Sequence, residues 1–567
     1  MNDSLLEKPL KINNNSFLKI IPLGGVGDVT KNMYVYEFGG QILIIDCGIG
    51  FPDVGMLGVD FVIPDISYLR EKREKILGIV ITHGHDDHIG GLPYILPELG
   101  CPVYATPITC GLIKARLDEA GQKMNFKLHV FPVCKPACLK LGPFDIQFIH
   151  VTHSVPDSAN IVVKTPVGIV YHGSDFKFDW TPVDGRYSEV DKIANVGSQQ
   201  VLLLLSDCLR AEKEGYTLSE RMIEETFDRE IRRSPKKVII TTASSNLSRI
   251  RQAIDVSRRY NRKVGIVGLS MQKTVEIARG LSYFSYPRDL FIKPEHIGNL
   301  DPKNLTLIVG GSQGQPGSSI SQIANRQHRF VSIEEGDTVI FSADPIPGNV
   351  DALNVLVDNL TRMRARVLYT DILDDLHVSG HAAQNELTMM IGLLKPKYLL
   401  PIGGTSRQMM AYANLAYEMG YSKEKVLLAE NGDVVKVTGS QVFIDGKVEV
   451  KNVMVDGLGV GDVGSVVLRD RRVMAEDGIV VVIVPVDQAT GKVVAEPDIV
   501  SRGFVYIAES QKLIDEAKEV VKNCLTSCEG KVSDWRFLRR HIEDNLERFL
   551  YNETKRRPMI MPVVVEV

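Results

Sequence analysis

The sequence predicts an α/β protein of several domains, and three observations support this. The chain has 567 residues, which is more than one hydrophobic core holds at roughly 100–200 residues per domain. From Phe17 to about Val170, short apolar runs alternate with glycine-rich turns and helical segments, as in an α/β or α+β layer. From Thr217, strand-like and helix-like segments alternate, as in βαβ units around a parallel sheet.

The first β-rich part contains a predicted hairpin and a predicted helix. The runs VYEF and ILIID are separated by GGQ, and β-rich runs on both sides of a tight glycine turn favour a hairpin. After His88, apolar residues recur at spacings of three and four, at Ile89, Leu92, Ile95 and Leu96. This periodicity indicates a helix.

A change of pattern at Thr217 marks a second domain. The segment T-L-S-E, from Thr217 to Glu220, has the form of a capping box and predicts a helix through about Arg233. The first pattern returns near Val367, and a small α/β module begins at Lys451. The predicted boundaries are a polar tail over 1–16, a first part over 17–216, a second domain over 217–366, the returning pattern over 367–450 and the terminal module over 451–567.

Composition excludes several classes of protein and indicates a cytoplasmic one. Hydrophobic residues make up 44% and charged residues 24% of the chain, which rules out extended disorder. No apolar run approaches the ~18–20 residues of a membrane span, and the first residues lack the order of a signal peptide. Eight cysteines form no CxxC pair, as expected of reduced thiols. The net charge of −4 does not indicate a generally basic nucleic-acid binder, although a local basic surface stays possible.

The strongest chemical signal is the segment ITHGHDDHIGG, which contains His83, His85, Asp87 and His88. It follows an apolar strand and precedes a helix. Three imidazoles and a carboxylate within six residues suit zinc or a similar divalent ion. In the turn, His83 and His85 can point to one metal, while Asp87 and His88 on the first helical turn can point to a second.

This motif resembles the signature of the metallo-β-lactamase fold. The resemblance implies two further ligands at strand ends, and His153 in FIHVTHSVPDS and Asp175 in IVYHGSDFKFD match them. It implies that His83, His85 and His153 hold one metal, that Asp87 and His88 hold the other, and that Asp175 bridges the two. Such a pair lowers the pKa of a bridging water, giving hydroxide at neutral pH. His150 and His172 lie near these ligands and are either their hydrogen-bond partners or ordinary core residues.

Most of the chain also resembles the ribonuclease J family, which belongs to the β-CASP group of nucleases. The matching segments are PLGGVGDVTKNMYVYE, MLGVDFVIPDISYL, HGHDDHIGGLPY, HSVPDSANIVVKTPVG, GSDFKFDWTPVDG, IVGGSQGQP, PIPGNV, LHVSGHAAQNEL and TKRRPMIMP. The resemblance implies an αββα metallo-β-lactamase sandwich formed by 17–216 and 367–450. It also implies an inserted β-CASP α/β domain over 217–366 and a small C-terminal α/β domain over 451–567.

The same resemblance implies catalytic and substrate-binding roles. Asp87, Asp175, Asp207 in LLLLSDCL and His381 in HVSGH would be catalytic, since imidazole can protonate a leaving oxygen. Considered alone, HVSGH fits a turn of the core equally well, and the serines and asparagine below commonly cap helices. The implied substrate-binding residues are His377, Val378, Ser379, Gly380 and His381 at the scissile phosphate, and Ser245, Asn246, Ser248, Ser312 and Gln313 at a 5′-phosphate pocket.

The chain departs from the family pattern at one predicted metal ligand. Where the family has a histidine in a P-x-H-G turn, this chain reads PIGGTSR, with Gly403 at that place. No histidine occurs between His381 and His541, so no small shift of alignment replaces it. We therefore expect two zinc sites, the second weakened because it retains only Asp87, His88 and Asp175. SDCLR in place of SDSTN, and Ser248 where a histidine often follows SN, alter the predicted substrate pocket.

Two further patterns have simpler interpretations. GLGVGDVG contains G-x-G-x-x-G, but VVLRDRR after it predicts a strand, whereas a dinucleotide site requires a helix there. Basic residues concentrate between Ser245 and Lys263, at Arg362–Arg366 and at Lys555–Arg557. They indicate either solvated helix faces or a channel that follows RNA phosphates.

The sequence therefore predicts a zinc-dependent ribonuclease that acts on single-stranded RNA in RNA maturation and decay. The family resemblance implies 5′→3′ exonuclease activity, with endonuclease activity in many members, and a homodimer or homotetramer without membrane attachment. Trp535, Phe537, Phe549 and Tyr551 either contribute to that contact or fill the core of the terminal module. Two alternatives remain: a hydrolase of small thioesters or lactams, and a weakly active or inactive RNA-binding subunit that partners an active paralogue.

Overall fold

The computed structural model describes residues 16–53, 55–122, 126–132, 138–344, 349–457, 459–488, 490, 492–505, 510–526 and 535–567. The predicted polar tail lies outside these residues except for Ser16. The described residues divide into two compact units. The larger runs to Phe51 and resumes over Val62–Val453, and the smaller comprises Pro52–Phe61 and Met454–Val567. No helix among the described residues is long and apolar enough to cross a membrane.

The strands are numbered in chain order. They are β1 (Leu18–Gly24), β2 (Met33–Phe38), β3 (Gln41–Ile45), β4 (Phe61–Ile63), β5 (Ile76–Val80), β6 (Val103–Ala105), β7 (Leu128–Val130), β8 (Leu139–Leu141), β9 (Phe144–His150), β10 (Ala159–Thr165), β11 (Gly168–Gly173), β12 (Val201–Asp207), β13 (Val238–Thr241), β14 (Lys263–Val267), β15 (Phe291–Ile292), β16 (Leu305–Val309), β17 (Thr338–Phe341), β18 (Arg366–Leu368), β19 (Tyr398–Ile402), β20 (Asp433–Val437), β21 (Val442–Lys447), β22 (Val453–Asp456), β23 (Gly459–Val460), β24 (Ile479–Val486), β25 (Asp498–Arg502) and β26 (Met559–Glu566).

The helices are numbered in the same way. They are α1 (Ser67–Arg70), α2 (Asp86–Ile89), α3 (Leu92–Leu99), α4 (Pro107–Glu119), α5 (Val190–Gly197), α6 (Arg221–Arg233), α7 (Leu247–Arg259), α8 (Leu269–Gly280), α9 (Ser319–Ala324), α10 (Val350–Arg362), α11 (Gln384–Leu394), α12 (Ser406–Glu418), α13 (Ser465–Asp477), α14 (Gln511–Thr526) and α15 (Trp535–Thr554).

Two mixed sheets form the body of the larger unit. Their orders are β21-β20-β1-β2-β3-β5-β6-β7 and β19-β12-β11-β10-β9-β8. Side chains from both sheets share one hydrophobic core, to which α5, α11 and α12 contribute from the second sheet's side. On the first sheet, α4 packs against β6 and β7. This is the αββα sandwich that the sequence predicts, and its two sheets come from chain segments on both sides of an inserted domain.

The predicted hairpin is confirmed. Strands β2 and β3 pair antiparallel from Tyr34↔Ile45 to Phe38↔Gln41. Gly39 and Gly40 have φ values of +59° and +79°, which a two-residue hairpin turn requires at both central positions. The hairpin delivers the end of β3 to the edge of the sheet where β5 also ends.

The inserted domain is a parallel sheet, as predicted, of order β15-β14-β16-β13-β17-β18. All its pairings are parallel, and α9 and α10 share an apolar core with its strands. In the smaller unit, α14 and α15 pack on the sheet β25-β24-β26.

The prediction of a capping box at Thr217–Glu220 is wrong. Helix α6 begins at Arg221, and the box residues make long-range contacts instead. The Thr217 hydroxyl donates to the His381 carbonyl at 2.7 Å, and the Glu220 carboxylate pairs with Arg249 at 2.8 Å. These buried bonds replace the local ones, since a buried charge costs free energy unless it is paired.

The predicted strand after the glycine motif is also wrong, because VVLRDRR lies within α13. Two β-branched valines open this segment, but the leucine, arginine, methionine and alanine residues that follow are strong helix formers. The helix stops at Gly478, which has φ +79°, a value suited to glycine at a helix end.

The predicted basic channel is not supported at its two most buried residues. Arg249 is 0% exposed and Arg262 is 5% exposed. Arg249 pairs with Glu220 and donates to the Ser342 hydroxyl, while Arg262 donates to the carbonyls of Lys236 and Leu305. These side chains stabilise the inserted domain and cannot reach an RNA phosphate.

We predict that Arg249→Met lowers the free energy of unfolding by about 3–5 kcal/mol, since it leaves a buried carboxylate without its main partner. Urea unfolding of the two proteins measures the difference. The matched control is Arg251→Met, because Arg251 is partly exposed and pairs with Asp255 only at 3.7 Å. That control should change stability by about 0.5 kcal/mol or less. Equal effects of the two substitutions would contradict the prediction.

Candidate metal centre

The predicted metal ligands lie at the ends of strands from both sheets of the sandwich. His83 and His85 follow β5, Asp87 and His88 lie on the short helix α2, and Asp175 follows β11. His153 follows β9. Strands that run the same way deliver the residues after their carboxyl ends to one edge of a sheet. The fold therefore gathers residues that are almost a hundred positions apart.

Three histidines and one aspartate form the first ligand set. His83 Nε2 lies 3.0 Å from His85 Nδ1, which lies 3.1 Å from His153 Nε2. Asp175 Oδ2 is 3.5 Å from His83 Nε2 and 3.6 Å from His153 Nε2. A tetrahedral zinc ion with ligands at about 2.0–2.1 Å separates them by about 3.4 Å. The separations of 3.0–3.6 Å lie close to that value, so the four donor atoms could hold one zinc ion.

Each histidine of this set is oriented through a contact away from the shared centre. His83 Nδ1 lies 3.0 Å from the Thr82 hydroxyl, and His85 Nε2 lies 3.1 Å from the Ser154 hydroxyl. His153 Nδ1 lies 2.7 Å from the Gly380 carbonyl. Such contacts fix the tautomer and ring orientation of a ligand.

Burial keeps the three imidazoles in the neutral form that binds metals. It lowers the pKa of His85 to about 4, and it lowers the pKa of His83 and of His153 well below the ordinary histidine value. Burial raises the pKa of Asp175, but the neighbouring His88 and His381 outweigh it and hold that pKa well below its usual range. The set therefore offers neutral nitrogens and an ionised carboxylate at pH 7.

A second set contains Asp87, His88 and the shared Asp175. His88 Nε2 lies 3.6 Å from Asp87 Oδ2 and 3.6 Å from Asp175 Oδ2. These three donors suit one further divalent ion with open positions. Asp175 is the residue that the two sets share among the described residues, so it would bridge two ions bound there.

Gly403 lies at the end of β19 with φ +64°. Its N–H donates to the Gly25 carbonyl at 2.7 Å. A Cβ atom built on Gly403 meets only Asp207 Oδ1, at 3.8 Å, among the described atoms within 4 Å. The backbone thus points this position toward Asp207, and glycine supplies no donor atom there.

The two remaining predicted catalytic residues, Asp207 and His381, contact each other and form a third candidate donor group with Asp175. His381 Nδ1 lies 2.8 Å from Asp207 Oδ2, and His381 Nε2 lies 3.8 Å from Asp175 Oδ2. Burial lowers the pKa of His381, but Asp207 and Asp175 outweigh it and raise that pKa to about 9. His381 therefore carries a proton at neutral pH and holds it beside the metal ligands.

The predicted substrate-binding residues do not all gather at one point. Ser245 lines a small cleft of about 30 Å³ with Gly84, Arg116 and Lys273, while Ser248 lines another with His153 and Lys177. His377 lies apart from Asp175, with Nε2 3.8 Å from Asp344 Oδ2. The remaining positions are as follows: Asn246 caps α7, Val378 and Ser312 are buried, Ser379 bonds to the His381 N–H, Gly380 faces His153, and Gln313 donates to the Asp344 carbonyl.

Sequence reasoning missed Asp46, which holds His88 in place. Asp46 Oδ2 lies 2.8 Å from His88 Nδ1, and Asp46 Oδ1 accepts from the Thr82 N–H at 2.8 Å. Asp46 is fully buried and follows β3 directly. The sequence signal that could have identified Asp46 is its place as an acidic residue at the end of the apolar run ILIID.

We predict that Asp46→Asn weakens zinc binding at the second ligand set, to which His88 belongs, by about 10–100-fold, as is usual when the partner of a metal-bound histidine is altered. Competition with a chelator measures the affinity. The matched control is Asp86→Asn, because Asp86 points to Arg116 rather than to a ligand histidine. Wild-type zinc affinity in Asp46→Asn would show that His88 does not depend on this carboxylate.

Comparison with known families agrees with this architecture. Four family models match consecutive parts of the chain: the metallo-beta-lactamase superfamily over 26–169, the ribonuclease J beta-CASP domain over 235–360, the Zn-dependent metallo-hydrolase RNA specificity domain over 369–428, and the ribonuclease J C-terminal domain over 466–567. A crystal structure of a protein of unknown function from Enterococcus faecalis V583 matches with a TM-score of 0.55 at 14% identity, over 74% of this chain and 100% of that one. At that identity the match shows the fold alone.

The fold and the donor sets thus define a metallo-β-lactamase-fold protein of the β-CASP group. The chain is 39% identical over 559 residues to Ribonuclease J2 of Bacillus subtilis (strain 168), covering 98% of this chain and 100% of that protein. It is 37% identical over 557 residues to Ribonuclease J 2 of Staphylococcus aureus (strain MRSA252), covering 98% and 99%. The chain belongs to the ribonuclease J family, as the sequence motifs predicted.

Proposed function

We propose that this protein is a zinc-dependent ribonuclease that hydrolyses phosphodiester bonds of single-stranded RNA in the cytoplasm. One observation carries the proposal: two candidate metal-ligand sets share Asp175, and His381 lies beside that carboxylate. The names of the relatives and the match to an RNA specificity domain support RNA as the substrate class.

The side chains around Asp175 supply complementary parts of a hydrolysis. Zinc bound at these ligands makes hydroxide available at neutral pH and offsets phosphate charge. When a water oxygen bonds to phosphorus, the bond to the leaving oxygen breaks, and that oxygen requires a proton. His381 holds such a proton on an imidazole, and Asp207 orients the ring through Nδ1. We assign His381 as the general acid, with Asp207 as the residue that keeps it charged.

The direction of degradation depends on where the RNA 5′ end is held. We place a 5′-monophosphate in the cleft lined by Gly84, Ser245, Arg116 and Lys273. Gly84, which lines this cleft, lies between the candidate ligands His83 and His85 in the chain. The cleft offers serine hydroxyls and two cationic side chains, which suit a phosphate once it displaces the Asp86 and Glu119 carboxylates that pair with Arg116 and Lys273. An RNA whose 5′ end is held in this cleft is shortened from that end. Endonuclease activity requires that an RNA reach the metal centre without its 5′ end bound there.

We infer that the second metal is held weakly or exchanges readily. Three protein ligands remain for it, since Gly403 supplies none. The same observation favours a second candidate function, an RNA-binding subunit with little activity of its own that partners an active paralogue.

Self-association as a homodimer or homotetramer is a further proposal, for which the exposed Phe537 and Tyr551 on α15 are the candidate contacts. Trp535 and Phe549 pack against the core of the smaller unit instead.

An RNA panel separates the proposed activities. One sequence is prepared with a 5′-monophosphate, a 5′-triphosphate, a 5′-hydroxyl and as a circle. A 5′→3′ exonuclease degrades the monophosphate form first and releases mononucleotides, whereas an endonuclease also opens the circle. If every RNA stays intact but is bound, the subunit hypothesis replaces the enzyme.

A further inference from the structure

A buried glutamate joins three separate segments around the proposed general acid. Glu386 lies in the first turn of α11 and is 0% exposed. One carboxylate oxygen accepts from the Phe178 N–H at 2.8 Å. The other accepts from the N–H groups of Thr217 at 2.7 Å and Ala383 at 2.9 Å. We call this arrangement the Glu386 junction.

Only one of these three bonds is explained by the helix itself. The bond to Ala383 is the return bond of a capping box, which satisfies a free N–H at the start of α11. The bonds to Phe178 and Thr217 connect residues more than 160 positions away. Burying a carboxylate costs free energy unless it is fully hydrogen-bonded, and here three N–H groups surround it. The carboxylate thus holds together three segments that are far apart along the chain.

Each segment of the Glu386 junction leads to a residue of the site. Phe178 is three residues after Asp175, and Ala383 is two residues after His381. Thr217 makes the connection direct, because its hydroxyl donates to the His381 carbonyl at 2.7 Å. The carboxylate therefore lies between the loop that carries the shared metal ligand and the loop that carries the general acid.

Neighbouring hydrogen bonds join the segment of Phe178 directly to the segment of Thr217. Lys177 Nζ donates to the Leu218 carbonyl at 3.2 Å, and the Glu220 N–H donates to Asp179 Oδ2 at 2.9 Å. Residues 177–179 and 217–220 thus run side by side. The loop bearing His381 is attached to this paired segment through Thr217 and Glu386.

We propose that Glu386 and Thr217 are positioning residues that set His381 against Asp175 for proton transfer, an inference that rests on the proposed ribonuclease activity. His381 Nε2 lies 3.8 Å from Asp175 Oδ2, so a small displacement of its loop moves the proton away from a phosphate held there. A misplacement of about 1 Å can cost about 100-fold in rate. Neither residue touches the metal-ligand atoms, so their loss should leave zinc binding intact.

The test compares two substitutions at Thr217. Thr217→Val removes the hydroxyl that donates to His381 while keeping the side-chain shape, and Thr217→Ser keeps the hydroxyl. We expect Thr217→Val to lower kcat on 5′-monophosphorylated RNA by about 10–100-fold, with KM within about threefold of wild type and unchanged zinc content. Thr217→Ser should retain at least about half of the wild-type kcat, because the donated bond remains.

A second comparison separates positioning from general stability. Glu386→Gln replaces one acceptor oxygen by an NH₂ group that opposes a backbone N–H, so kcat should fall at least as far as in Thr217→Val. The matched control is Glu230→Gln, since Glu230 is a buried carboxylate on α6 that pairs with Arg229 and Arg366. This control should lower Tm while leaving kcat of the folded protein unchanged.

The outcomes distinguish this proposal from the proposed function. Wild-type kcat in Thr217→Val, or equal losses in the valine and serine variants, would overturn the positioning role. If the wild-type protein degrades no RNA, the proposed function fails, and ¹⁵N spectra of labelled histidine still decide the junction. Thr217→Val and Glu386→Gln should then shift the His381 ring signals while Glu230→Gln does not. Unshifted signals would overturn the junction on their own.

Discussion

Asp175→Ala is expected to lower turnover of single-stranded RNA by about 10³-fold or more, because bound metal ions lower the activation barrier by several kcal/mol. Asp175 Oδ2 is the donor that both metal-ligand sets share, at 3.5–3.6 Å from His83, His153 and His88. Its removal takes one of four donors from the first set and one of three from the second. Steady-state turnover and zinc content per chain measure the effect.

The same substitution has a suitable control on the surface. Asp191 lies on the exposed side of α5, so Asp191→Ala removes one carboxylate without approaching the centre. It should retain wild-type turnover and zinc content. If Asp175→Ala binds as much zinc as wild type and still degrades RNA at the wild-type rate, the shared-ligand geometry does not describe the working site.

Gly403→His is expected to raise zinc content from one to two tightly held ions per chain and to increase RNA turnover at least about tenfold. The position faces Asp207, and no other described atom lies within 4 Å of a Cβ atom placed there. A histidine at this position has room beside Asp207, and the family pattern places a metal-binding histidine here, so we expect it to add a donor to the set of Asp87, His88 and Asp175. The left-handed φ of +64° adds strain of about 1–3 kcal/mol, although histidine tolerates this region better than most residues.

Gly403→Ala is the matched control, because it introduces the same backbone strain without a donor atom. It should lose stability and gain neither zinc nor activity. Zinc analysis by mass spectrometry after exhaustive dialysis reads out both variants. Two tightly held ions in the wild-type protein would contradict the weakened second site, and an inactive wild type that Gly403→His activates would favour the subunit hypothesis.

The sheets, and the grouping of four of the candidate metal ligands, could be predicted because their signals are local. Apolar runs around GGQ produced the hairpin of β2 and β3, and strand–helix alternation produced the parallel sheet of the inserted domain. The ligands His83, His85, Asp87 and His88 lie within six residues. Periodicity and motif spacing predict such features because residues that are close in sequence are also close in the folded structure.

Long-range contacts were not predictable in the same way. Glu220 has the spacing of a capping residue, yet Arg249 from a different helix binds its carboxylate. Asp46 and Glu386 are single acidic residues whose importance lies in partners 42 and more than 160 positions away. The arginines near Ser245 count equally toward local charge, but burial of Arg249 removes it from any RNA surface. Composition and spacing do not show which residues far apart in the chain meet after folding.

The most direct test of the central claim is zinc-dependent RNA turnover by the isolated protein. Metal is removed with a chelator, zinc is added back in steps, and release of mononucleotides from 5′-monophosphorylated RNA is followed for wild type and Asp87→Ala. We predict that turnover returns with zinc in the wild type and stays absent in Asp87→Ala, whose carboxylate belongs to the second ligand set. Wild-type protein that is loaded with zinc and binds this RNA, yet releases no nucleotide, would contradict a ribonuclease centred on these residues.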